Sequence, residues 1–255
     1  MSRYERWNAI LELLAREGRL SVEQAAEALD VSSATIRRDF DQLAQQQMLM
    51  RTRGGAVAQS VSYDLPLRYK TARHAGQKQR IAEAAAALVA PGAVVGMNGG
   101  TTTSEVARAL AVRADPEIGF TIVTNALNIA AELTVRQNVK IVVTGGVARP
   151  QSYELIGPLA SEVLERITLD IAFLGVDAID AGGAFAHHEG EASVNDLLIG
   201  RAAEVVVVAD ASKVGRRAFA RICTLDAVGT LITDESLSDE DAARFTDAGV
   251  KVVRA

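Results

Sequence analysis

Val31-Ser32-Ser33-Ala34-Thr35-Ile36-Arg37-Arg38-Asp39-Phe40, followed by Arg51-Thr52-Arg53-Gly54-Gly55-Ala56, decides the fold of the first quarter of the chain. Ser32 stands in a helix-capping position, and Ile36, Phe40 and Leu43 recur at helical spacing as an apolar stripe. Ser33, Thr35, Arg37 and Arg38 cannot all join that stripe, so several face outward. Met48-Leu49-Met50 and Ala56-Val57-Ala58 flank the Gly54-Gly55 turn as two short strands with Arg51 and Arg53 near the tip.

Upstream, Trp7, Ile10, Leu11 and Leu14 predict an amphipathic helix over 3–17, ended by Gly18. Ser21-Val22-Glu23-Gln24 reads as a capping box that opens a short helix with Ala25, Ala26 and Leu29 inward. Asp30-Val31 makes the turn into the third helix. Two short helices joined by a tight turn form a helix-turn-helix, and the basic hairpin makes it winged. Arginine can hold a phosphate or grip guanine through two parallel hydrogen bonds; serine and threonine hydroxyls suit either target. Ser33, Thr35, Arg37, Arg38, Arg51 and Arg53 are therefore the candidate contacts to double-stranded DNA.

The net charge of −5 does not oppose this, because local charge governs binding. Residues 1–58 hold eight arginines and eight acids, which cancel; the excess acid lies further along. The whole chain has 255 residues, 49% hydrophobic and 23% charged, enough to bury a substantial core. Only 4% is aromatic, so that core rests on Ala, Val, Leu and Ile. No apolar run reaches the roughly 18 residues of a membrane span. The start lacks a secretory signal, and the lone Cys223 excludes an internal disulfide. A cytoplasmic location with no membrane partner is expected.

Residues 59–76 are polar and mixed and read as a linker. An Ala-rich helix is expected over 77–89, and the stretch 59–90 as an arm that could relay a change of state. Beyond it, apolar runs at 93–97, 120–123, 139–143, 171–174, 205–208 and 229–232 alternate with helical stretches. This is the pattern of a mostly parallel sheet covered on both faces. Small or polar residues follow the strands at once. In such sheets ligands bind outside the carboxyl ends of the strands, so these clusters share one rim.

Asn98-Gly99-Gly100-Thr101-Thr102-Thr103 follows a strand and opens a helix. Its glycines admit an anion to the backbone, and the helix start and hydroxyls supply donors. The same residues also suit a plain capped turn. The loop lacks the Walker lysine and the G-x-G-x-x-G spacing, which argues against nucleotide hydrolysis and dinucleotide binding. Thr124, Asn125, Gly145 and Gly146 could add contacts or simply make turns. Asp177 could accept from a sugar hydroxyl, and Lys213 could pair with an anion. His187-His188-Glu189 does not make a metal site, because adjacent side chains diverge and no second ligand cluster exists. No catalytic constellation and no cofactor motif is present.

These strings in order resemble the DeoR family of bacterial sugar-metabolism regulators. Val31–Phe40 is similar to its V-S-x-x-T-I-R-R-D-L helix, Arg53–Ala56 to its wing, and Asn98–Thr103 to its D-S-G-T-T-T loop. Val123-Thr124-Asn125, Thr144-Gly145-Gly146, Phe173–Asp177, Glu191-Ala192 and Asp210–Lys213 match further blocks. Asn98 and Gly99 replace the usual Asp-Ser, and Asn195 stands where a lysine commonly follows the Glu-Ala pair. The resemblance implies a sensor domain like the ribose-5-phosphate isomerase fold. It also implies binding of a phosphorylated sugar or sugar alcohol, with Glu191 in the site, and self-association as dimer or tetramer.

The expected organisation is a winged helix-turn-helix over 1–58, a linker over 59–76 and an α/β sensing and oligomerisation domain over 77–255. The expected function is a transcriptional regulator, a repressor of a carbohydrate-metabolism operon relieved by its metabolite. The alternative is an isomerase-type enzyme using Asp177 and Lys213, which would have no use for residues 1–58.

Overall fold

The computed structural model describes residues 1, 3–46, 48–57, 67 and 74–255, without the side chains of 4, 12, 15 and 16. They form two compact units, Met1–Lys70 and Thr71–Ala255. Most of the linker expected over 59–76 lies outside the described residues.

In the first unit, helix α1 (Arg3–Glu17) is followed by strand β1 (Arg19–Ser21), α2 (Val22–Leu29) and α3 (Ser33–Gln45). The capping box forms as expected: the Gln24 amide donates to Ser21 Oγ at 3.0 Å, and the Ser21 amide to Gln24 Oε1 at 2.9 Å. Asp30, in the left-handed region at φ 52°, ends α2. Strands β2 (Met50–Thr52) and β3 (Gly55–Val57) make the wing. It has three strands rather than two, because β1 pairs with β3 in the order β1-β3-β2. Gly55 permits this: a Cβ there would stand 2.4 Å from the Leu20 carbonyl oxygen. Trp7, Ile10, Leu14, Ile36, Phe40, Leu43, Met48 and Ala56 close one core.

Asp39 lies inside that core's edge. It is 3% exposed and accepts from Arg6 Nε and Nη2 and, at 2.8 Å, from Trp7 Nε1. The carboxylate thus ties α3 to α1, and each oxygen is satisfied, the condition under which a buried charge is tolerated.

The second unit is built on seven parallel strands in the order β15-β14-β12-β9-β4-β5-β6. They are β4 (Val94–Met97), β5 (Phe120–Thr124), β6 (Val139–Val143), β9 (Leu169–Leu174), β12 (Ala202–Val208), β14 (Thr230–Thr233) and β15 (Lys251–Arg254). Side chains alternate between the faces. Val95, Met97, Ile171, Phe173, Val206 and Val208 share one core with helices α4 (Ala75–Ala86), α5 (Thr101–Arg113) and α6 (Leu127–Leu133). Ala172, Leu174, Val205, Val207 and Leu231 face the other, with α7 (Pro158–Leu164), α8 (Glu189–Ile199) and α9 (Asp239–Asp247). Helix α4 buries Ile81, Ala82, Ala85 and Ala86 in the first of these cores. That portion of the expected arm is therefore part of the sheet's cover.

A hairpin, β7 (Val147–Ala148) with β8 (Leu155–Ile156), follows β6. Three antiparallel strands, β10 (Ala178–Asp180), β11 (Gly183–Ala186) and β13 (Ala220–Cys223), form a small separate sheet.

Removing the acceptor of a buried donor costs about 1–3 kcal/mol, and the partly exposed Arg6 is left able to reach solvent. Asp39→Ala should therefore destabilise the amino-terminal unit by roughly 1–3 kcal/mol, read as a lowered urea midpoint for the loss of its helical circular dichroism. A midpoint equal to wild type would show that the Arg6 and Trp7 contacts carry no weight.

Candidate functional site

The strand order places the candidate rim. The chain lays β4, β5 and β6 outward in one direction, then returns to pair β9 with the other side of β4 and continues through β12, β14 and β15. The direction reverses between β4 and β9, the kind of crevice in which open α/β sheets bind ligands. The carboxyl ends of these two strands run into Asn98-Gly99-Gly100 and Gly175-Val176-Asp177.

Asn98 spans the crevice. Its Nδ2 donates to the Gly175 carbonyl at 2.9 Å, and its Oδ1 accepts from the Gly175 amide at 2.8 Å. An aspartate could accept but not donate in this position, so the asparagine serves as a two-way stitch between loops. Gly100 then opens α5 with no side-chain cap. Thr103 Oγ1 and Ser104 Oγ donate back to the Gly100 carbonyl at 3.1 and 2.7 Å. The first amides of a thirteen-residue helix are left facing the crevice without a capping side chain, the arrangement that favours an anion. Thr101 is half-buried and Thr102 buried.

Thr124 is fully buried and accepts from the Ala126 amide at 3.0 Å, which shapes the turn after β5. Asn125, also fully buried, holds its Nδ2 toward Glu154 Oε2 (3.3 Å), the Leu155 carbonyl (3.4 Å) and Asn195 Oδ1 (3.4 Å). Gly145 and Gly146 are half-buried, Gly146 lying against the Ile156 backbone. Asp177 Oδ2 accepts from the His187 amide at 2.9 Å, with His187 Nε2 3.9 Å from Oδ1. Lys213 ends a short 3-10 turn (Ala211–Lys213) and is half-buried. Glu191, 5% exposed, pairs with Arg149 Nη1 at 2.9 Å.

Two participants escape the reading of strand ends alone. Arg149 and Glu154 flank the turn between β7 and β8: the Arg149 amide donates to the Glu154 carbonyl, and the Tyr153 amide to the Arg149 carbonyl. The hairpin carries both back over the ends of β5 and β6, where the Leu155 amide donates to the Asn125 carbonyl. Charged residues beside short apolar pairs, just after Gly145-Gly146, are the only sequence signal for them.

Glu154 is 3% exposed. Burial pushes its carboxyl well above the ordinary value of 4.5, and the nearby charges of Glu191 and Asp177 push it further; the Asn125 side chain and the Gly99 amide act against them. A hollow of about 420 Å³ lies at the opposite, amino ends of β12 and β14, lined by Asp196, Glu204 and Asp226 among others. It shares no residue with the rim. Among the described residues no group of His, Cys, Asp and Glu could hold a metal ion.

On the first unit, the face of α3 opposite its core presents Ala34, Arg37, Arg38 and Asp41, all exposed. Ser32 caps the helix by accepting from the Thr35 amide at 3.2 Å, and its hydroxyl is 2.9 Å from Thr35 Oγ1. Ser33 is half-buried beside them. Arg53 is exposed at the wing tip. Arg51 is engaged within the fold: it pairs with Asp41 at 2.9 Å, donates to the Gly55 carbonyl at 2.9 Å and lies over the Phe40 ring.

Residues 6–61 match the model of the DeoR-like helix-turn-helix domain, and residues 73–235 that of the DeoR C terminal sensor domain. The chain belongs to the DeoR family of transcriptional regulators. It is 37% identical to the HTH-type transcriptional regulator GlpR of Haloferax volcanii over 252 residues, 98% of this chain and 96% of that one. It is 33% identical to the glycerol-3-phosphate regulon repressor of Escherichia coli over 237 residues, 92% of each. Among solved structures, ribose 5-phosphate isomerase A of Methanocaldococcus jannaschii is similar at 21% identity and a TM-score of 0.41, covering 54% of this chain and 53% of that one. No helix among the described residues is long and apolar enough to cross a membrane.

The raised carboxyl has a consequence for the DeoR sensor. A native state that keeps a proton which the unfolded chain releases near pH 4.5 loses stability as pH rises above that value. Glu154→Gln removes this dependence. Urea denaturation of the sensor should show the variant gaining on wild type at pH 8 relative to pH 5; an equal difference at both would mean that the native carboxyl is ionised throughout.

Proposed function

We propose that this protein is a ligand-controlled repressor of a carbohydrate-metabolism operon. Its amino-terminal unit holds operator DNA through the exposed face of α3 and the wing. Arg37, Arg38 and Arg53 meet bases and phosphates, with Ser33 and Thr35 at the helix start, while Arg51 holds the wing at its working angle. The sensor takes a phosphorylated sugar or sugar alcohol. The phosphate meets the amides of Gly100–Thr103 with Lys213 as cation, and the hydroxyls meet Asp177, Glu191 and Asn125 beside Gly145-Gly146. Asn98, Gly99 and Thr124 shape the cradle.

The observation that carries this reading is the uncapped start of α5 at the crevice between β4 and β9. The names of the relatives support the rest. We assign the linker to residues near 59–76 and expect a homo-oligomer in the cytoplasm, because paired recognition helices read two half-sites. The ligand must favour one arrangement of those helices over the other, since equal affinity for both shifts nothing. Nothing favours the isomerase reading: Asp177 accepts a backbone amide beside His187, and the winged unit has no catalytic use.

Arg38→Ala should weaken binding to duplexes that the wild-type protein selects from a random pool by about 1–3 kcal/mol. Its melting temperature should not move. Unchanged affinity would remove α3 as the reading helix. The sensor is tested by thermal shift against a panel of sugar and sugar-alcohol phosphates: a ligand specific to the native state raises the melting temperature with concentration. Response to the unphosphorylated compounds alone would overturn the phosphate reading.

A further inference from the structure

The outward face of α3 carries one acid among its bases. Ala34, Arg37, Arg38 and Asp41 follow one another at helical spacing, and all are exposed. Asp41 differs from Asp39, which is buried and bonded to Arg6 and Trp7. The Asp41 side chain is 60% exposed and meets one cation, Arg51, through Oδ1 at 2.9 Å. Among the described residues no other ion pair reaches this carboxylate; Arg37 and Arg38, one helical turn away, form none with it. Arg51 is anchored in turn by the Gly55 carbonyl and lies over the Phe40 ring. The wing therefore holds the Asp41 carboxylate in a set position and partly neutralises it, with no hydrogen bond on Oδ2 among the described residues.

We propose that Asp41 is a specificity-determining residue of the DNA-binding face and selects cytosine at one base-pair position next to those met by Arg37 and Arg38. This rests on reading α3 as the helix that lies in the major groove. An α-helix rises about 1.5 Å per residue, so Asp41 stands about 4.5 Å along the axis from Arg38, on the scale of the roughly 3.4 Å between bases of one strand. In the major groove cytosine presents its N4 amine, a donor, and no acceptor. Adenine sets the N7 acceptor beside its N6 donor, and guanine and thymine offer acceptors. An ionised carboxylate only accepts, so cytosine is the base whose edge it fits. Toward the other three the same charge discriminates by repulsion. The Arg51 partner lowers the cost of bringing an anion between two rows of phosphates.

The test uses the full chain and the duplexes that wild type selects from a random pool. Replacing the cytosine at the Asp41 position by each other base, with its complement, should weaken wild type about fivefold or more. Asp41→Ala should bind all four versions alike and keep the wild-type preferences at every other position. Asp41→Asn should also lose the cytosine preference, its outward amide favouring a base that presents an acceptor. This second variant keeps an oxygen for Arg51, so it reads the contact even if Asp41→Ala shifts the wing. The inference is overturned if no selected cytosine is released by these substitutions, or if the preference survives in either variant. It is overturned equally if both variants bind every duplex more tightly with unchanged preferences, which would make Asp41 a solvated acid that only repels phosphates. A wild-type protein that selects no sequence overturns the operator reading itself, and this inference with it.

Discussion

The pair of hydrogen bonds from Asn98 to the backbone of Gly175 holds the sensor together where its sheet is weakest in connectivity. β4 and β9 are neighbours in space but 71 residues separate the end of one from the start of the other. Parallel pairing brings them side by side, and beyond their last paired residues, Met97 and Phe173, the two chains diverge toward opposite faces. At that divergence backbone groups lose their ladder partners. Asn98 supplies both a donor and an acceptor there, so the Gly175 backbone is satisfied where the two strands part. The start of α5, the loop before Asp177 and the position of Gly99 all take their geometry from that closure.

The two halves of the protein handle charge in opposite ways. In the winged unit, adjacent residues of α3 separate completely: Arg37 and Arg38 remain in solvent, while Asp39 turns inward to Arg6 and Trp7. The helix is therefore fixed through its acid and offers its bases. Arg51 shows the converse, an arginine consumed by Asp41, the Gly55 carbonyl and the Phe40 ring to fix the wing. In the sensor, acidic groups are drawn together rather than separated. Glu191 and Asp177 lie near enough to raise the Glu154 carboxyl, with Arg149 bonded to Glu191.

Local rules made much of this legible beforehand. The capping box at Ser21, the cap at Ser32 and the stripe Ile36-Phe40-Leu43 are contained within a few residues, and so were the six apolar runs that became β4, β5, β6, β9, β12 and β14. Elements whose partners are remote were not. β1 is three residues long and exists because β3 pairs with it. β15 carries Lys251 and Arg254 at its ends, typical of an edge strand, and gave no continuous apolar run. The small β10-β11-β13 sheet joins segments whose pairing no local pattern announces.

The amino-acid sequence by itself determined the helix-turn-helix, the alternation of strands and helices, and the rim at which polar residues gather, because caps, turns and periodicity act over a handful of neighbours. Only the tertiary structure decided which of those polar residues are consumed by contacts within the fold. Asn98 is spent on Gly175, Thr124 on a turn and Arg51 on the wing, whereas Glu154 arrives from a hairpin about fifty residues beyond the Gly99 loop that it meets. The physical reason is that a hydrogen bond or a close contact depends on positions in space. Gly99 and Glu154 constrain each other through an excluded volume that has no counterpart along the chain.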